Sequence, residues 1–304
     1  MHRETEIIRR YFDRQRNNGG VIIGIGDDAA AVKLPAGVEL ISAIDTIVEG
    51  VHFPRGFPAN DIGYRVLAVN LSDFAAMGAQ PAWALLSLSM PSLDELWLES
   101  FCDSFFELAD AHAVVLIGGD LVSGPLAATV TLLGSVPEDA AITRDGAQPG
   151  EIVYVTGSPG AAALGLQSVM KHSECPQMER YFRRPVPRIT EGRALRGIAS
   201  SMIDLSDGLL TDARHIAEES AVQITLDAAA LNDTVSGELL PALCGGDDYE
   251  LLFTVPTGKE QALAALATNW DCAVSRVGRV GTGEGVTLPG YDLENLSGYD
   301  HFSV

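Results

Sequence analysis

Four apolar runs of the chain each stop at aspartate, and small residues stand beside three of these stops. The aspartates are Asp27, Asp28, Asp45, Asp120, Asp204 and Asp207. One aspartate in such a place is usually a turn former or a helix cap. Four sets are harder to explain as turns, and if they converge, their mutual repulsion requires cations. Carboxylate oxygens without His or Cys partners favour hard ions, so we expect Mg²⁺ and, with it, a nucleoside triphosphate.

Asp73 stands in a different setting, inside an apolar helical run from about residue 60 to residue 78. A carboxylate buried without a partner is costly, so it is expected to be paired, protonated or bound to a metal. Two interpretations remain open on the sequence. Asp73 caps a break in the helix, aided by Asn70 and Ser72, or it ligates a metal ion.

Other residues are weaker indications of a phosphate-binding site. Residues 206–208 (SDG) precede a predicted helix whose N-terminus would favour an anion, although plain capping explains them equally well. Residues 157–160 (GSPG) form either a phosphate cradle or an ordinary strand-to-helix turn. Arg144 is either a phosphate ligand or a solvated loop residue. His52 is either a structural histidine or a substrate contact.

Composition and missing motifs narrow the function classes. The chain of 304 residues carries a formal charge of −21, which argues against a nucleic-acid partner. Apolar residues make up 47% of the chain and charged residues 20%, as expected for a folded protein with a substantial core. There is no P-loop, protein-kinase or GxSxG motif, and residues 24–29 lack the third glycine of a dinucleotide fingerprint.

The chain is predicted to be cytoplasmic and without a membrane partner. No run reaches the roughly 18 apolar residues of a membrane span, and the N-terminal residues lack a secretory signal. The cysteines are far apart in the sequence and form no CxxC motif, so we expect free thiols in a reducing compartment. They are Cys102, Cys175, Cys244 and Cys272.

Strand and helix patterns interleave in both halves, which indicates an α/β (α+β) fold. A polar, turn-rich stretch after residue 137 predicts two domains, 1–137 and 138–304. Further expectations are strands over 83–90 and 126–136, and helices over 93–111 and 189–200. Ser92 and Glu95 suggest a capping box for the helix over 93–111.

Seven motifs, taken together and in order, resemble the thiamine-monophosphate kinase family of the aminoimidazole-ribonucleotide synthetase-like superfamily. They are residues 24–29 (GIGDDA), 45–53 (DTIVEGVHF), 68–79 (AVNLSDFAAMGA), 118–120 (GGD), 203–209 (IDLSDGL), 245–251 (GGDDYEL) and 298–302 (GYDHF). The resemblance implies direct in-line phosphoryl transfer from ATP to thiamine monophosphate, assisted by several Mg²⁺ ions. It also implies a homodimer in which the N-terminal sheets pair into a β-barrel, with the active site at the domain junction. The N-terminal domain would bind metal and ATP and form the dimer.

The resemblance assigns roles position by position. The metal ligands would be Asp28, Asp45, Asp73, Asp120, Asp204 and Asp207, with Asp73 bridging several ions. ATP would contact Gly119, Asp120, Arg144 and Ser206, and the acceptor would contact His52 and Asp247. The residues most directly tied to catalysis would be Asp73, Asp207 and Arg144.

The chain departs from the family pattern at three places. Ala43 and Ile44 replace hydroxyl residues, so metal ligation there would use their backbone carbonyls. Asp247 is one carbon shorter than the usual glutamate. Leu296 stands where an aromatic side chain often contacts the substrate, and Tyr291 is the alternative aromatic residue. Two rival functions remain: another ATP-using synthetase of the superfamily, or a magnesium–nucleotide binding protein without catalysis.

Overall fold

The computed structural model describes residues 3–14, 20–171, 176–235, 237–299 and 301–302. The chain forms two compact units. Unit 1 comprises Met1–Phe74 and Ala79–Asp139, and unit 2 comprises Ala75–Gly78 and Ala140–Val304. No helix among the described residues is long and apolar enough to cross a membrane.

Unit 1 is built around a four-stranded sheet. Its elements, in chain order, are α1 (Arg3–Ile7, continued by a π-helical turn Ile8–Phe12), β1 (Val21–Ile23), β2 (Ala31–Val32), β3 (Val38–Val48), α2 (Ala59–Ala76), β4 (Gln80–Met90), α3 (Glu95–Ala111), β5 (Val115–Ser123) and β6 (Ala127–Pro137). The sheet order is β3-β6-β4-β5, and β4 and β5 are its one parallel pair. Strands β1 and β2 pair separately.

The sheet of unit 1 has one covered face and one open face. On the covered face, the Phe74 ring of α2 lies where a Cβ on Gly134 of β6 would stand. Helix α3 approaches α2 so closely that a Cβ on Gly63 would lie 2.1 Å from the Phe101 carbonyl oxygen. On the other face, β3 leaves Leu40 51% exposed and Ile44 65% exposed. Because successive side chains alternate between faces, apolar surface remains uncovered there.

Unit 2 contains a six-stranded sheet with helices. Its elements are β7 (Ile152–Thr156), α4 (Ala161–Lys171), α5 (Pro176–Arg183), α6 (Ile189–Ala194), β8 (Ser201–Asp204), α7 (Leu209–Glu219), β9 (Gln223–Leu226), α8 (Ala228–Thr234), α9 (Leu239–Cys244), β10 (Leu251–Val255), α10 (Glu260–Ala267, after a 3-10 turn Thr257–Lys259), β11 (Val274–Gly281) and β12 (Gly285–Thr287). The order is β12-β9-β11-β7-β10-β8, and β12 and β9 are the parallel pair. Apolar residues of α7 pack with those of β7, β8 and β9 in one core.

Several predicted boundaries are wrong. Strands β3 and β5 continue past Asp45 and Asp120, because pairing with β6 and β4 holds these aspartates inside regular ladders. Helix α3 begins at Glu95, and its N-cap is Asp94, whose carboxylate accepts from Leu96 N and Trp97 N. The capping box predicted from Ser92 is therefore not formed.

The helix predicted over 189–200 ends earlier, at Ala194, as α6. By contrast, β8 ends at Asp204, as the apolar run predicted. Cys102, Cys244 and Cys272 are free thiols, as expected, and Cys175 lies outside the described residues.

Candidate active site

Unit 1 brings two of the predicted metal ligands into direct contact. Asp45 lies on β3, and Asp73 lies one turn before the end of α2; their carboxyl groups are hydrogen-bonded. Burial raises the pKa of Asp45, and the hydrogen bond with Asp73 offsets part of that rise. Two carboxyl groups this close must share a proton or a cation. Their oxygens suit a hard divalent ion such as Mg²⁺.

The helix around Asp73 excludes one of the two interpretations of this residue. Helix α2 runs without a break from Ala59 to Ala76, and the Asn70 side chain donates to Val66 O of the same helix at 3.0 Å. Asp73 therefore does not cap a helix break. Its side chain is half-buried while Ser72 is fully buried, so the helix holds the carboxylate at a surface and does not enclose it.

The remaining predicted ligands of unit 1 are exposed. Asp28 follows β1 in a turn in which Asp27 Oδ1 accepts from Asp28 N at 2.8 Å. Asp120 lies on β5 opposite Ser87, just after an irregular register. Gly119 has φ +154°, and a Cβ there would lie 1.8 Å from the Leu86 carbonyl oxygen, so only glycine fits.

Asp45 and Asp120 lie on opposite edge strands of the sheet. Three strand spacings separate β3 from β5, which puts the two aspartates about 14 Å apart. Such a distance is too long for one ion to bind both carboxylates within one subunit. The carbonyls of Ala43 and Ile44 point to opposite sides of β3, because successive carbonyls of a strand alternate. One of them therefore points to the open edge of the sheet.

Unit 2 carries a second acidic cluster at the junction of β8 and α7. Ligand atoms of Asp207, Asp212 and His215 lie within 4.8 Å of one another. Asp212 is 1% exposed; burial, followed by repulsion from Asp204 and Asp207, raises its pKa to about 8. Asp204 is itself buried at the end of β8. This set of donors fits a divalent cation in the same way as the pair in unit 1.

Asp212 and His215 were not predicted from the sequence. They are three residues apart on α7, so they share one face of the helix. A single aspartate on a helix is normally solvated, and its burial here comes from the fold. The Asp212 carboxylate accepts from Asp207 N at 3.2 Å and Gly208 N at 3.1 Å. The amides of Asp207 and Gly208, just before α7, are thus bonded within the chain, whereas the N-cap Gly208 gives α7 no side-chain cap. Both interpretations of residues 206–208, capping and an anion site, therefore stay open.

Basic side chains lie near Asp207. Burial raises the pKa of Asp207, and His215, His301 and Arg144 counteract this rise through their charge. Asp247 adds to the rise, which shows that it is close to the cluster. Arg144 is itself exposed.

The loop before β10 lies against the loop before α7. Asp247 N donates to Ser206 O at 2.9 Å, and a Cβ on Gly246 would lie 2.2 Å from that oxygen. Asp247 and Tyr249 both have positive φ, and the Tyr249 hydroxyl donates to Asp247 Oδ1 at 3.1 Å. The predicted ATP contact Ser206 and the predicted acceptor contact Asp247 are thus neighbours.

The turn at residues 157–160 has a structural explanation. The Asp248 carboxylate accepts from Gly160 N at 2.7 Å and from Ala162 N at 3.1 Å at the start of α4. Burial raises the pKa of Asp248 to about 7. Because a carboxylate already occupies these amides, the structure favours the ordinary turn over a phosphate cradle.

Two predicted acceptor contacts lie in separate surroundings. His52 follows β3 and is half-buried; its Nδ1 accepts from Val48 N at 3.1 Å, so Nε2 carries the proton of the neutral ring. Leu296 packs against the core of unit 2, whereas Tyr291 is 49% exposed. Asp300, in the C-terminal motif, lies outside the described residues.

Family models match both halves of the chain. The AIR synthase related protein N-terminal domain matches residues 26–136, and the AIR synthase related protein C-terminal domain matches residues 148–289. With the mixed α/β elements of both units, these matches define a two-domain protein of the AIR synthase related class.

Similarity to individual proteins indicates which family within this class the chain belongs to. Thiamine-monophosphate kinase of Escherichia coli (strain K12) is 42% identical over 99% of this chain and 98% of its own length. The crystal structure of thiamine-monophosphate kinase from Stenotrophomonas maltophilia K279a has a TM-score of 0.84 at 41% identity, covering 90% of this chain and 92% of that one. The structure of AaThiL complexed with AMPPCP and TMP has a TM-score of 0.78 at 29% identity, covering 90% of both chains. The chain belongs to the thiamine-monophosphate kinase family and is a kinase.

Proposed function

We propose that the chain transfers the terminal phosphoryl group of ATP to thiamine monophosphate, giving thiamine diphosphate and ADP. The observation that carries the proposal is the hydrogen-bonded carboxyl pair of Asp45 and Asp73. A kinase that joins two polyanions needs cations held by carboxylates, and such a pair is suited to hold them. The relative bound to AMPPCP and TMP supports the choice of substrates.

Both units contribute to the proposed set of metal ligands. The ligands would be Asp28, Asp45, Asp73, Asp120, Asp204 and Asp207, with the backbone carbonyls of Ala43 and Ile44. Asp212 adds a further carboxylate beside Asp207. When bound, several Mg²⁺ ions would neutralise and align the phosphate groups of the donor and the acceptor.

The chain's own residues would bind and orient the two substrates. Arg144, beside Asp207, would contact ATP together with Gly119, Asp120 and Ser206. His52 would present its Nε2 proton to the acceptor, and Asp247 would contact the acceptor, with Leu296 or Tyr291 near its rings. These groups would place an acceptor phosphate oxygen in line with the terminal phosphorus of ATP.

No strong general base is required in this mechanism. The nucleophile would be a phosphate oxygen whose second pKa is about 6, so it is largely ionised at neutral pH. The oxygen forms a bond to phosphorus as the bond from phosphorus to ADP breaks, and no phosphoenzyme forms. A radiolabelled protein band after incubation with labelled ATP alone would count against direct transfer.

We further propose that the N-terminal sheets of two subunits close into a β-barrel. Strands β3 and β5 are the two edges of the sheet, and Leu40 and Ile44 leave apolar surface on its open face. Closure would place β3 of one subunit beside β5 of the other. The strand that carries Asp45 would then lie beside the strand that carries Asp120 of the partner subunit, whereas these two strands are about 14 Å apart within one sheet.

Mixing two inactive variants tests the barrel. Asp45→Ala and Asp120→Ala are each expected to abolish turnover as homodimers. If each site combines Asp45 with Asp120 of the partner subunit, one site of every heterodimer is intact. Random exchange of subunits then restores about one quarter of wild-type activity. Mixtures that stay inactive after subunit exchange contradict shared sites, and a monomer by light scattering contradicts the barrel itself.

One assay separates the proposed reaction from its rivals. ADP release is measured with Mg²⁺ and ATP, with and without thiamine monophosphate. Release that depends on thiamine monophosphate excludes a binding protein without catalysis. A selenophosphate-type reaction would need a reactive cysteine near the N-terminus, but the first cysteine, Cys102, is buried and its pKa is raised to about 12.

A further inference from the structure

The first turns of α7 hold the C-terminal segment, residues 293–299, as well as the acidic cluster. Arg214 donates from Nη1 to Leu296 O and from Nη2 to Leu293 O, both at 2.8 Å. The Thr211 hydroxyl oxygen accepts from Gly298 N at 2.8 Å. These three hydrogen bonds lie along a segment that has neither helix nor strand structure.

The segment also bonds to the backbone of the acidic cluster. Tyr299 N donates to Asp207 O at 3.2 Å, the carbonyl of the residue whose carboxylate lies beside Asp212 and His215. A Cβ on Gly298 would lie 1.9 Å from that oxygen, so the chain passes against it as closely as glycine permits. The position of the segment is therefore tied to the position of Asp207.

The forked geometry of Arg214 explains why this residue suits the role. A guanidinium donates in a fixed plane from two nitrogens, and here they bond two carbonyls that are three residues apart. Backbone groups of a segment without regular structure need partners from elsewhere in the fold. Arg214 and Thr211 supply such partners from one face of α7, three residues apart.

We infer that Arg214 and Thr211 are positioning residues for the acceptor substrate, because they fix the C-terminal segment beside the acidic cluster. The inference rests on the proposed function, in which Leu296 or Tyr291 of this region contacts thiamine monophosphate. Loosening the segment lowers the fraction of protein ready to bind the acceptor, so the acceptor KM rises. Neither Arg214 nor Thr211 is among the proposed ATP contacts, so a change confined to residues 293–299 is expected to leave the ATP KM nearly constant.

A merely structural role would give a different result. Leu293 and Leu296 pack on the core of unit 2, so the hydrogen bonds of Arg214 and Thr211 would then only stabilise that core. Loss of a purely structural bond lowers the melting temperature without separating the KM values of the two substrates. The kinetic split is therefore the decisive measurement.

The experiment uses the full-length protein with thiamine monophosphate and ATP varied separately. Thr211→Val removes the acceptor for Gly298 N at nearly constant volume, and Thr211→Ser keeps it. We expect Thr211→Val to raise the acceptor KM about fivefold, with kcat and the ATP KM within about twofold of wild type. Thr211→Ser should restore wild-type values.

Arg214 variants provide the larger effect. Arg214→Met removes both bonds, and Arg214→Lys keeps the charge but not the fork; each should raise the acceptor KM by about tenfold or more. Arg279→Met is the matched control, since Arg279 is an exposed arginine of the same unit and lines no part of the proposed site. It should leave all three kinetic constants unchanged.

Amide hydrogen exchange of residues 293–299 completes the test, and we expect faster exchange in Thr211→Val and Arg214→Met. Faster exchange with an unchanged acceptor KM overturns the inference, as does an equal rise of both KM values. Unchanged exchange also overturns it. If the wild type itself makes no thiamine diphosphate, the proposed function fails. If the wild type is active and the variants keep its acceptor KM, only the positioning role is refuted.

Discussion

The acidic clusters of the two units differ in the source of the positive charge near their carboxylates. In unit 1, the influences that shift the pKa of Asp45 are burial and the carboxyl group of Asp73. In unit 2, His215, His301 and Arg144 all act on Asp207. The chain therefore neutralises part of the second cluster itself. In the proposed mechanism, the pair in unit 1 would hold cations from solution.

The supporting elements differ in the same way. Asp45 and Asp73 stand on an 11-residue strand and an 18-residue helix, whose backbone hydrogen bonds fix them. Asp207 stands in a loop, held by Asp212 and by the segment that ends at Tyr299. A site on regular elements is positioned before ligands bind. The position of a site in a loop depends on a few side-chain hydrogen bonds, and a single substitution can remove one of them.

Asp73→Asn is the most direct test of the acidic cluster in unit 1. The amide is nearly the same size but has lost the charge that would hold cations, so we expect kcat to fall about a thousandfold. The fold should persist, because the residue is half-buried on a continuous helix. Steady-state kinetics and thermal melting measure the two effects.

The matched control is Asp103→Asn, an exposed aspartate on α3 whose partner is Arg14. It removes the same charge from a helix of the same unit and should change neither kcat nor the melting temperature appreciably. Near-normal turnover in Asp73→Asn would refute its role as the central ligand.

Arg188→Met tests how far unit 2 depends on internal ion pairs. Arg188 donates to both carboxylate oxygens of Glu250, which also accepts from Thr156 Oγ1 at 2.6 Å. Losing the arginine leaves a buried carboxylate, at a cost of about 3 kcal/mol in the free energy of unfolding. Urea unfolding measures this; Arg10→Met, which breaks the exposed pair with Glu95, should cost under about 1 kcal/mol. Equal losses would contradict the distinction.

The smallest expected effect is a change in how the melting temperature depends on pH, and it involves Asp248. Its pKa is about 7 in the fold and about 3.9 in the unfolded chain, so the folded protein holds the extra proton between these values. Stability contributed at this residue therefore falls as pH rises from about 4 to about 7, and is constant above that. Asp248→Asn keeps an acceptor for Gly160 N and should make the fall of the melting temperature between pH 5 and 7 shallower. The slope contributed by Asp212, whose pKa is raised to about 8, remains.

Asp248→Ala provides the comparison, since it removes the acceptor at the start of α4 and should cost about 1 kcal/mol near pH 4, a cost that shrinks as the wild type loses stability toward pH 7. A wild-type melting temperature that rises across the same pH range, with Asp248→Asn following it in parallel, would show that another group dominates.

The sequence predicted the mixed α/β class, but it misjudged where several candidate site residues lie on the elements. Asp204 was placed correctly at a strand end, because β8 is short and lies beside β10 in the interior. Asp45 and Asp120 were not, since their apolar runs stop where the strands continue with mixed residues. There, pairing with neighbouring strands overrides local composition.

Asp212 escaped prediction for a different reason. On a helical pattern it resembles any solvated aspartate, and its burial accompanies the packing of α7 against strands that are distant in sequence. The hydrogen bonds from Arg214 to two carbonyls were equally hidden, because backbone acceptors leave no signature in the sequence. Residue types indicated the kind of chemistry, whereas long-range packing determined which side chains lie together in one site.

The open edge at β3 has a consequence for handling the protein. A strand with unpaired backbone groups and the apolar side chains of Leu40 and Ile44 is a template for adding further strands. In the proposed dimer, the partner's sheet would occupy this template. Dilution that separates the subunits would then expose this apolar strand edge. We therefore expect the loss of activity on dilution to come from irreversible aggregation rather than from dissociation into monomers that can reassociate. High protein concentration during purification would protect the chain.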